Sequence, residues 1–327
     1  MVKPSLIFHV IGFKAVGLGH IYRSLSLAED LSDFQISFAC TKSSFEMVEL
    51  MIKEKYQLHL FDEETVYSDI RDLNPDIVIN DVLSTNEEDI KTLKASSIKV
   101  VNFEDLGTGS ALTDLTINEL YEKPADSSKN ILWGHNYFFL RDEFLERKSN
   151  KFPESIENIL ITFGGTDSNN LTKYSLESII DYCDERGIFI YIVSGPGYEH
   201  FSDLESNICK MENVSLTHAT GVISEIMQKV QIALTSNGRT VYELAHMNIP
   251  SIVISQHQRE SEHKFSSLEN GMVNIGIFNE INTKPLLKST FEKIVEDEEF
   301  LKMLYKNTSR FDFSKNKLRV LDLIKSI

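Results

Sequence analysis

Three glycine-bearing segments each follow a short apolar run and precede a stretch with helical spacing. They cover residues 12–23, 161–170 and 234–244. Glycine lets the backbone turn tightly beside a ligand, and the free N–H groups at the start of a helix attract anions. Together the three turns predict a site for a phosphorylated ligand.

The first segment also carries a group that could handle a proton. Gly17 and Gly19 precede His20 and Arg23, and the third glycine of the dinucleotide-binding fingerprint is missing. A histidine at a helix start can be neutral near pH 7 and accept a proton from water, as a general base does. A histidine that only caps or packs is the simpler alternative, and this segment alone leaves both open.

The second segment is suited to a diphosphate. Gly164, Gly165 and Thr166 form a turn whose amides can make a nest for phosphate oxygens. A plain turn between a strand and a helix, capped by Asp or Ser, is the alternative.

The third segment repeats that chemistry and adds a carboxylate. Ser236, Asn237 and Gly238 precede a predicted helix, and Glu243 lies one turn into it. We expect the turn to hold phosphate and Glu243 to bind the two hydroxyls of a ribose. An acid that simply favours the helix start is the alternative.

A fourth segment, with Gln256 and His257, also lies between a predicted strand and a predicted helix. His257 and His263 have no third ligand at a characteristic spacing, so we predict no metal site here. We likewise predict no cofactor.

Short β-branched runs alternate with amphipathic stretches along the whole chain. The predicted strands are 5–11, 34–39, 77–80, 98–102, 159–163, 188–193, 231–235 and 251–254. The predicted helices are 21–31, 44–55, 87–95, 171–183, 221–229, 240–247 and 260–269. This alternation predicts the α/β class with parallel sheets, whose ligands bind at the carboxyl ends of the strands.

The length of 327 residues fits two domains of about 150 residues each. The segment 141–153 is highly charged and ends at Pro153, which is typical of a linker. We therefore predict one domain over 1–145 and a second over 146–327. The sequence leaves open whether the last helix, 315–326, crosses back onto the first domain.

Composition excludes several classes of partner. Lys and Arg total 33 against 49 Asp and Glu, a net charge of −16, which argues against binding to nucleic acid or to an anionic membrane. The 3 cysteines have no C-x-x-C spacing, which predicts the reducing cytoplasm as the location. No apolar run approaches the roughly 20 residues that span a bilayer, so we predict no membrane insertion.

These segments, in their order and spacing, resemble the GT-B superfamily. Within it the chain is similar to the UDP-sugar hydrolase family of pseudaminic acid biosynthesis and its spore-coat polysaccharide relatives. The matching segments are 17–23, 103–105, 137–144, 163–167, 170–171 and 236–243. A broader likeness, to the lipid-II-forming N-acetylglucosaminyltransferase, covers the three glycine segments and 256–258.

The resemblance implies two facing Rossmann-like domains with parallel sheets, the first on the sugar side and the second holding the nucleoside diphosphate. It implies a metal-independent hydrolase of the anomeric C–O bond in a UDP-linked acetamido-deoxy sugar, serving nonulosonic acid or surface polysaccharide biosynthesis. His20 is then the base that acts on water, and Glu243 binds the ribose. The expected substrate-binding residues are Gly17, Gly19, Arg23, Gly164, Gly165, Thr166, Ser236, Asn237, Gly238, Glu243, Gln256 and His257.

One position departs from the family. The family hydrolase has a tyrosine after the strand that ends near Asp81, whereas this chain continues through Leu83 without one. Asp81, Glu104 or Asp105 could assist His20 instead, and we take Asp81 and Asp105 as the catalytic candidates.

Several alternatives stay open. A GT-B glycosyltransferase that uses a UDP-sugar donor and an unidentified acceptor is the second hypothesis, and a nucleotide-sugar sensor is the third. The sugar, the nucleobase, the oligomeric state and any fusion or partnership with other sugar-biosynthesis enzymes are not decided by the sequence.

Overall fold

The computed structural model describes residues 3–12, 18–52, 54–147, 149–218, 221 and 223–327. They divide into two compact units. Unit 1 is Met1–Arg141 with Ser314–Ile327, and unit 2 is Asp142–Phe313.

Unit 1 is built on a parallel sheet of seven strands in its described part. They are β1 Ser5–Val10, β2 Gln35–Thr41, β3 Gln57–Phe61, β4 Ile77–Asp81, β5 Lys99–Phe103, β6 Leu115–Asn118 and β7 Ile131–Trp133. Their spatial order is β3-β2-β1-β4-β5-β6-β7. Because parallel strands need crossover connections, helices cover both faces of this sheet.

The helices of unit 1 bury the two faces of β1 separately. They are α1 Gly19–Asp30, α2 Phe45–Ile52, α3 Val66–Asp72, α4 Glu87–Lys94 and, from the chain end, α12 Asn316–Lys325. Leu6, Phe8 and Val10 alternate along β1 and pack in a core that also takes in α12 through Val320. Ile7 faces the opposite layer. The last helix thus completes the core of unit 1.

Unit 2 has a parallel sheet of six strands in its described part. They are β8 Asn158–Thr162, β9 Phe189–Ser194, β10 Val214–His218, β11 Ile232–Ser236, β12 Ser251–Ser255 and β13 Met272–Ile277. Its helices are α5 Leu171–Arg186, α6 Phe201–Ile208, α7 Ile223–Met227, α8 Thr240–His246, α9 Gln258–Ser261, α10 Thr283–Glu296 and α11 Glu298–Thr308. The strand order is β10-β9-β8-β11-β12-β13.

The predicted α/β class is confirmed, and each of the eight predicted strands overlaps an observed one. The strands that the sequence analysis missed include β3, β7, β10 and β13, which are the four sheet edges. Edge strands are partly exposed and mix polar with apolar residues, so their pattern is weak. No helix in the described ranges combines the length and apolarity needed to cross a membrane.

The helix predicted over 260–269 is wrong. Helix α9 ends at Ser261, and the chain then turns irregularly. The Asn237 side-chain amide donates to the backbone carbonyls of Glu260 at 2.7 Å and of His263 at 3.0 Å. These ties to the neighbouring turn replace the helical pairing that the sequence pattern favoured.

Candidate functional site

The strand order brings the candidate residues of each unit to one edge of its sheet. In both sheets the order reverses beside the first strand, between β1 and β4 in unit 1 and between β8 and β11 in unit 2. Ligands of open α/β sheets bind at the carboxyl ends of the strands at such a reversal.

In unit 1, His20 and Asp81 form a hydrogen-bonded pair. Asp81 is the last residue of β4 and is fully buried, and His20 lies in the first turn of α1. His20 Nδ1 lies 2.5 Å from Asp81 Oδ1. An ionised carboxylate only accepts hydrogen bonds, so Nδ1 is the donor, and in the neutral tautomer with the proton on Nδ1 the acceptor is Nε2.

Arg23, expected to bind substrate, is buried among carboxylates. Its Nε and Nη2 donate to the two oxygens of Asp81 at 2.8 and 2.6 Å, and its Nη1 donates to Glu119 at 2.8 Å. Glu104 lies 3.6 Å from Nη1. With these partners, Arg23 is placed to hold Asp81 in position.

This arrangement keeps Asp81 ionised. Burial alone would raise the pKa of its carboxyl group, but the charge of Arg23, with a contribution from His20, holds that pKa well below its usual range. An anionic Asp81 orients the imidazole and stabilises its protonated form without taking the proton.

Asp105, the other catalytic candidate, has its hydrogen bonds within the loops of unit 1. Its Oδ1 accepts from the backbone N–H groups of Thr85 and Gly107, and its Oδ2 accepts from the Thr85 hydroxyl and the Asn102 amide. These contacts fix the loops after β4 and β5. A catalytic role for Asp105 stays a prediction.

Two loop residues of unit 1 have left-handed backbone conformations. Leu83 has φ of 72° and Glu104 has φ of 54°, and both residues follow strands that end at the site. Left-handed conformations are unfavourable for such residues and concentrate at functional sites.

Gly19 is the first residue of α1, whereas Gly17 lies outside the described residues.

In unit 2, the turn at Gly164, Gly165 and Thr166 is backed by a second glycine turn. Gly164 has φ of 79°, a conformation that favours glycine. The Gly197 N–H donates to the Gly165 carbonyl at 2.9 Å. A Cβ on Gly195 would lie 2.4 Å from the Gly165 Cα, so the two turns pack backbone against backbone.

The start of helix α5 already holds a carboxylate. Asp167 Oδ1 and Oδ2 accept from the backbone N–H groups of Leu171 and Thr172, each at 2.8 Å. Asp167 therefore binds the free N–H groups at the helix start as a capping residue does, which is the alternative that the sequence left open for this segment. In this segment the backbone of 164–166, ahead of the helix, is the part left to meet a phosphate.

The third turn is tied to the segment after β12. Ser236 ends β11 and is buried. The side-chain NH2 of Asn237 donates to backbone carbonyls of that segment, and its side-chain oxygen accepts from the Ser266 hydroxyl. The Asn237 side chain is thus engaged within the protein. Gly238 is more open, since a Cβ there would meet its nearest neighbours at 3.7 and 3.9 Å.

Gln256 joins the strand-end turns of unit 2. Its Nε2 donates to the Phe163 backbone carbonyl at 3.1 Å, and its backbone carbonyl accepts from the Asn169 side chain at 2.8 Å. His257 caps α9 by accepting from the Glu260 N–H at 3.3 Å. Burial, with the nearby Arg259, lowers the pKa of His257, so its imidazole is largely neutral at pH 7.

Each unit therefore gathers its own candidates. Unit 1 brings together His20, Arg23 and Asp81, and unit 2 brings the turns at Gly165, Gly238 and Gln256 to the ends of neighbouring strands. Glu243 is buried on α8. Within the described ranges no three His, Cys, Asp or Glu side chains are grouped to hold a metal ion.

Sequence reasoning missed two parts of the site. Glu119 follows β6, which was not predicted as a strand, so its position beside Arg23 was not foreseen. The turn with Gly195 and Gly197 follows predicted strand 188–193, and its two glycines after that strand were the available signal.

No protein-family model matches this chain. The uncharacterized protein MJ1062 of Methanocaldococcus jannaschii is 27% identical over 270 residues, covering 77% of this chain and 55% of that protein. The chain thus spans just over half the length of that relative. The spore coat polysaccharide biosynthesis protein SpsG of Bacillus subtilis is 24% identical over 266 residues, covering 76% of this chain and 77% of that protein.

Solved structures superpose on nearly the whole chain. MurG of Acinetobacter baumannii has a TM-score of 0.68 at 12% identity, covering 99% of this chain and 100% of the other. MnaA of S. aureus, solved with UDP, has a TM-score of 0.63 at 14% identity, covering 100% of this chain and 96% of the other. Two Rossmann-like units with parallel sheets and these superpositions confirm that the fold is GT-B.

Proposed function

We propose that this chain hydrolyses a nucleotide-linked sugar, most simply a UDP-linked acetamido-deoxy sugar, and releases the nucleoside diphosphate. The observation that carries the proposal is the hydrogen bond between His20 Nδ1 and Asp81 Oδ1. It leaves Nε2 of a neutral imidazole as a base for water, with an anionic partner to stabilise the imidazolium that forms.

The chemistry needs little more from the side chains. Water gives a proton to Nε2 as its oxygen attacks the anomeric carbon, and the bond to the diphosphate oxygen breaks with its electron pair going to the diphosphate. Because a diphosphate is a good leaving group, fixed N–H dipoles suffice to stabilise its charge. The turns at Gly165 and Gly238 are our candidates for those dipoles.

The relatives support the choice of substrate class. SpsG is named for spore coat polysaccharide biosynthesis, and the MnaA structure contains UDP. A glycosyltransferase remains the second candidate, because a sugar hydroxyl can replace water at the same base. MurG and MnaA share the fold at low sequence identity, so they leave the two reactions equally open.

Phosphorus NMR of the purified full chain tests the proposal. The substrates are UDP- and CMP-linked amino sugars, in EDTA and without any acceptor. We expect release of UDP and free sugar, and the panel identifies the base and the sugar class. Changes in the ligand signals without release would contradict hydrolysis and favour a transferase that needs its acceptor, or a sensor.

A further inference from the structure

Glu260 is a carboxyl group that the proposed reaction does not use. It lies on α9, where the turns of unit 2 meet. Its Oε2 accepts from the Gln256 backbone N–H at 2.7 Å. Its Oε1 lies 3.9 Å from the position of a Cβ on Gly238. The Gln256 N–H therefore binds one oxygen, and the other lies beside the glycine turn expected to meet phosphate, where the Asn237 backbone also donates to the carboxyl group.

The surroundings of Glu260 disfavour its charge. Burial raises the pKa of its carboxyl group to about 7, and the negative charge of Asp167 acts in the same direction. The hydrogen bond from Gln256 and one from the Asn237 backbone oppose that rise only in part. At neutral pH the group is divided between its two protonation states.

Other ionisable groups lie on the segments around this position, and Arg239 directly follows Gly238. Strands β12 and β13, which pack against α9, have no titratable side chain. Beside Glu260 in the chain are His257, Arg259, Glu262 and His263. Burial lowers the pKa of His263 to about 4, so that imidazole is neutral at pH 7.

We propose that Glu260 takes up a proton when a nucleoside diphosphate group binds at the Gly238 turn, and that its Oε1–H then donates a hydrogen bond to a phosphate oxygen. This inference rests on the nucleotide site of the proposed function. The proton comes from solvent, no covalent bond to the ligand forms, and Oε2 keeps accepting from Gln256. An ionised Glu260 would instead repel the diphosphate.

Binding of UDP-N-acetylglucosamine between pH 6 and 8 tests the proposal, because the diphosphate of this ligand does not titrate there. If only the protonated form of Glu260 binds, the dissociation constant rises about tenfold across this range. Calorimetry in two buffers with different heats of ionisation should show uptake of about half a proton per complex at pH 7.

Glu260→Gln is the decisive variant, because an amide keeps the shape and a donor but cannot titrate. We expect it to bind with a dissociation constant that is flat with pH and, at pH 8, about tenfold below that of the wild type. Glu262→Gln, at an exposed carboxylate two residues away, should keep the wild-type pH dependence. A slope that survives in Glu260→Gln, or binding without proton uptake, would overturn this inference alone. No binding at any pH would also remove the proposed nucleotide site.

Discussion

The two units use the same sheet order for opposite kinds of site. At the end of β4 in unit 1, charged side chains meet, with Arg23 placed between Asp81, Glu119 and Glu104. At the ends of β8 and β11 in unit 2, backbone turns dominate, and the carboxyl of Glu260 is held by a backbone amide. The fold supplies the location, and the residues after each strand supply the chemistry.

This contrast sets what each unit tolerates. In unit 1, removing one charge leaves its buried partners unbalanced. In unit 2, the backbone conformation of the turns forms the candidate site. A Cβ added at a glycine is therefore expected to disturb this site more than a change at an exposed side chain.

The largest expected effect separates catalysis from binding. His20→Ala should lower turnover of the UDP-sugar about 100- to 10,000-fold, since general-base catalysis contributes that much. Binding of UDP, measured by calorimetry, should be unchanged. Glu243→Ala in unit 2 should do the converse and weaken UDP binding.

The control is His59→Ala on edge strand β3, which should turn over at the wild-type rate. Turnover that survives in His20→Ala would show that His20 is structural and that the base lies elsewhere. Equal loss of UDP binding in His20→Ala and Glu243→Ala would contradict the assignment of catalysis to unit 1 and of nucleotide binding to unit 2.

A second test concerns the buried charges of unit 1. Arg23→Met should destabilise the protein by about 3–5 kcal/mol in urea unfolding, because it leaves buried carboxylates without their cation. Arg147→Met in unit 2 is the matched change, since Arg147 pairs with the half-exposed Glu225 at 3.0 Å. It should cost less than about 1 kcal/mol.

Arg23→Lys sharpens the same point kinetically. A lysine keeps the charge but cannot grip both oxygens of Asp81, so kcat should fall while KM for the nucleotide sugar stays near its wild-type value. A large rise in KM with unchanged kcat would mean that Arg23 contacts the substrate after all.

The sequence was sufficient for the interior strands of both sheets except β6. Strands β4 and β11 each begin with three consecutive apolar residues because both faces of the sheet are covered, and that pattern is easily recognised. The sheet edges and the segment after α9 were missed. There, polar ties such as that between Asn237 and His263 decide the backbone, and no periodicity predicts them.

For the candidate site, the sequence identified residue types better than their partners. His20 and Asp81 are 61 residues apart, and only the neighbouring positions of β1 and β4 bring them together. The resemblance placed Arg23 among the substrate-binding residues, and its partner Glu119 was not foreseen because it follows a strand of four residues that was not recognised. Side-chain pairing across strands needs the register, which the sequence alone does not give.

The smallest expected effect tests the backbone site of unit 2. Gly195→Ala places a Cβ 2.4 Å from the Gly165 Cα, so the turn at 164–166 must move. We expect UDP affinity to fall about tenfold, or about 1.4 kcal/mol.

Gly187→Ala is the control, because Gly187 also has a positive φ, of 68°, but a Cβ there meets no atom within 4 Å. It should cost about 1 kcal/mol of stability and leave affinity unchanged. Equal affinities in the two variants would mean that this turn does not hold the diphosphate, and unit 2 would then depend on its side chains as unit 1 does.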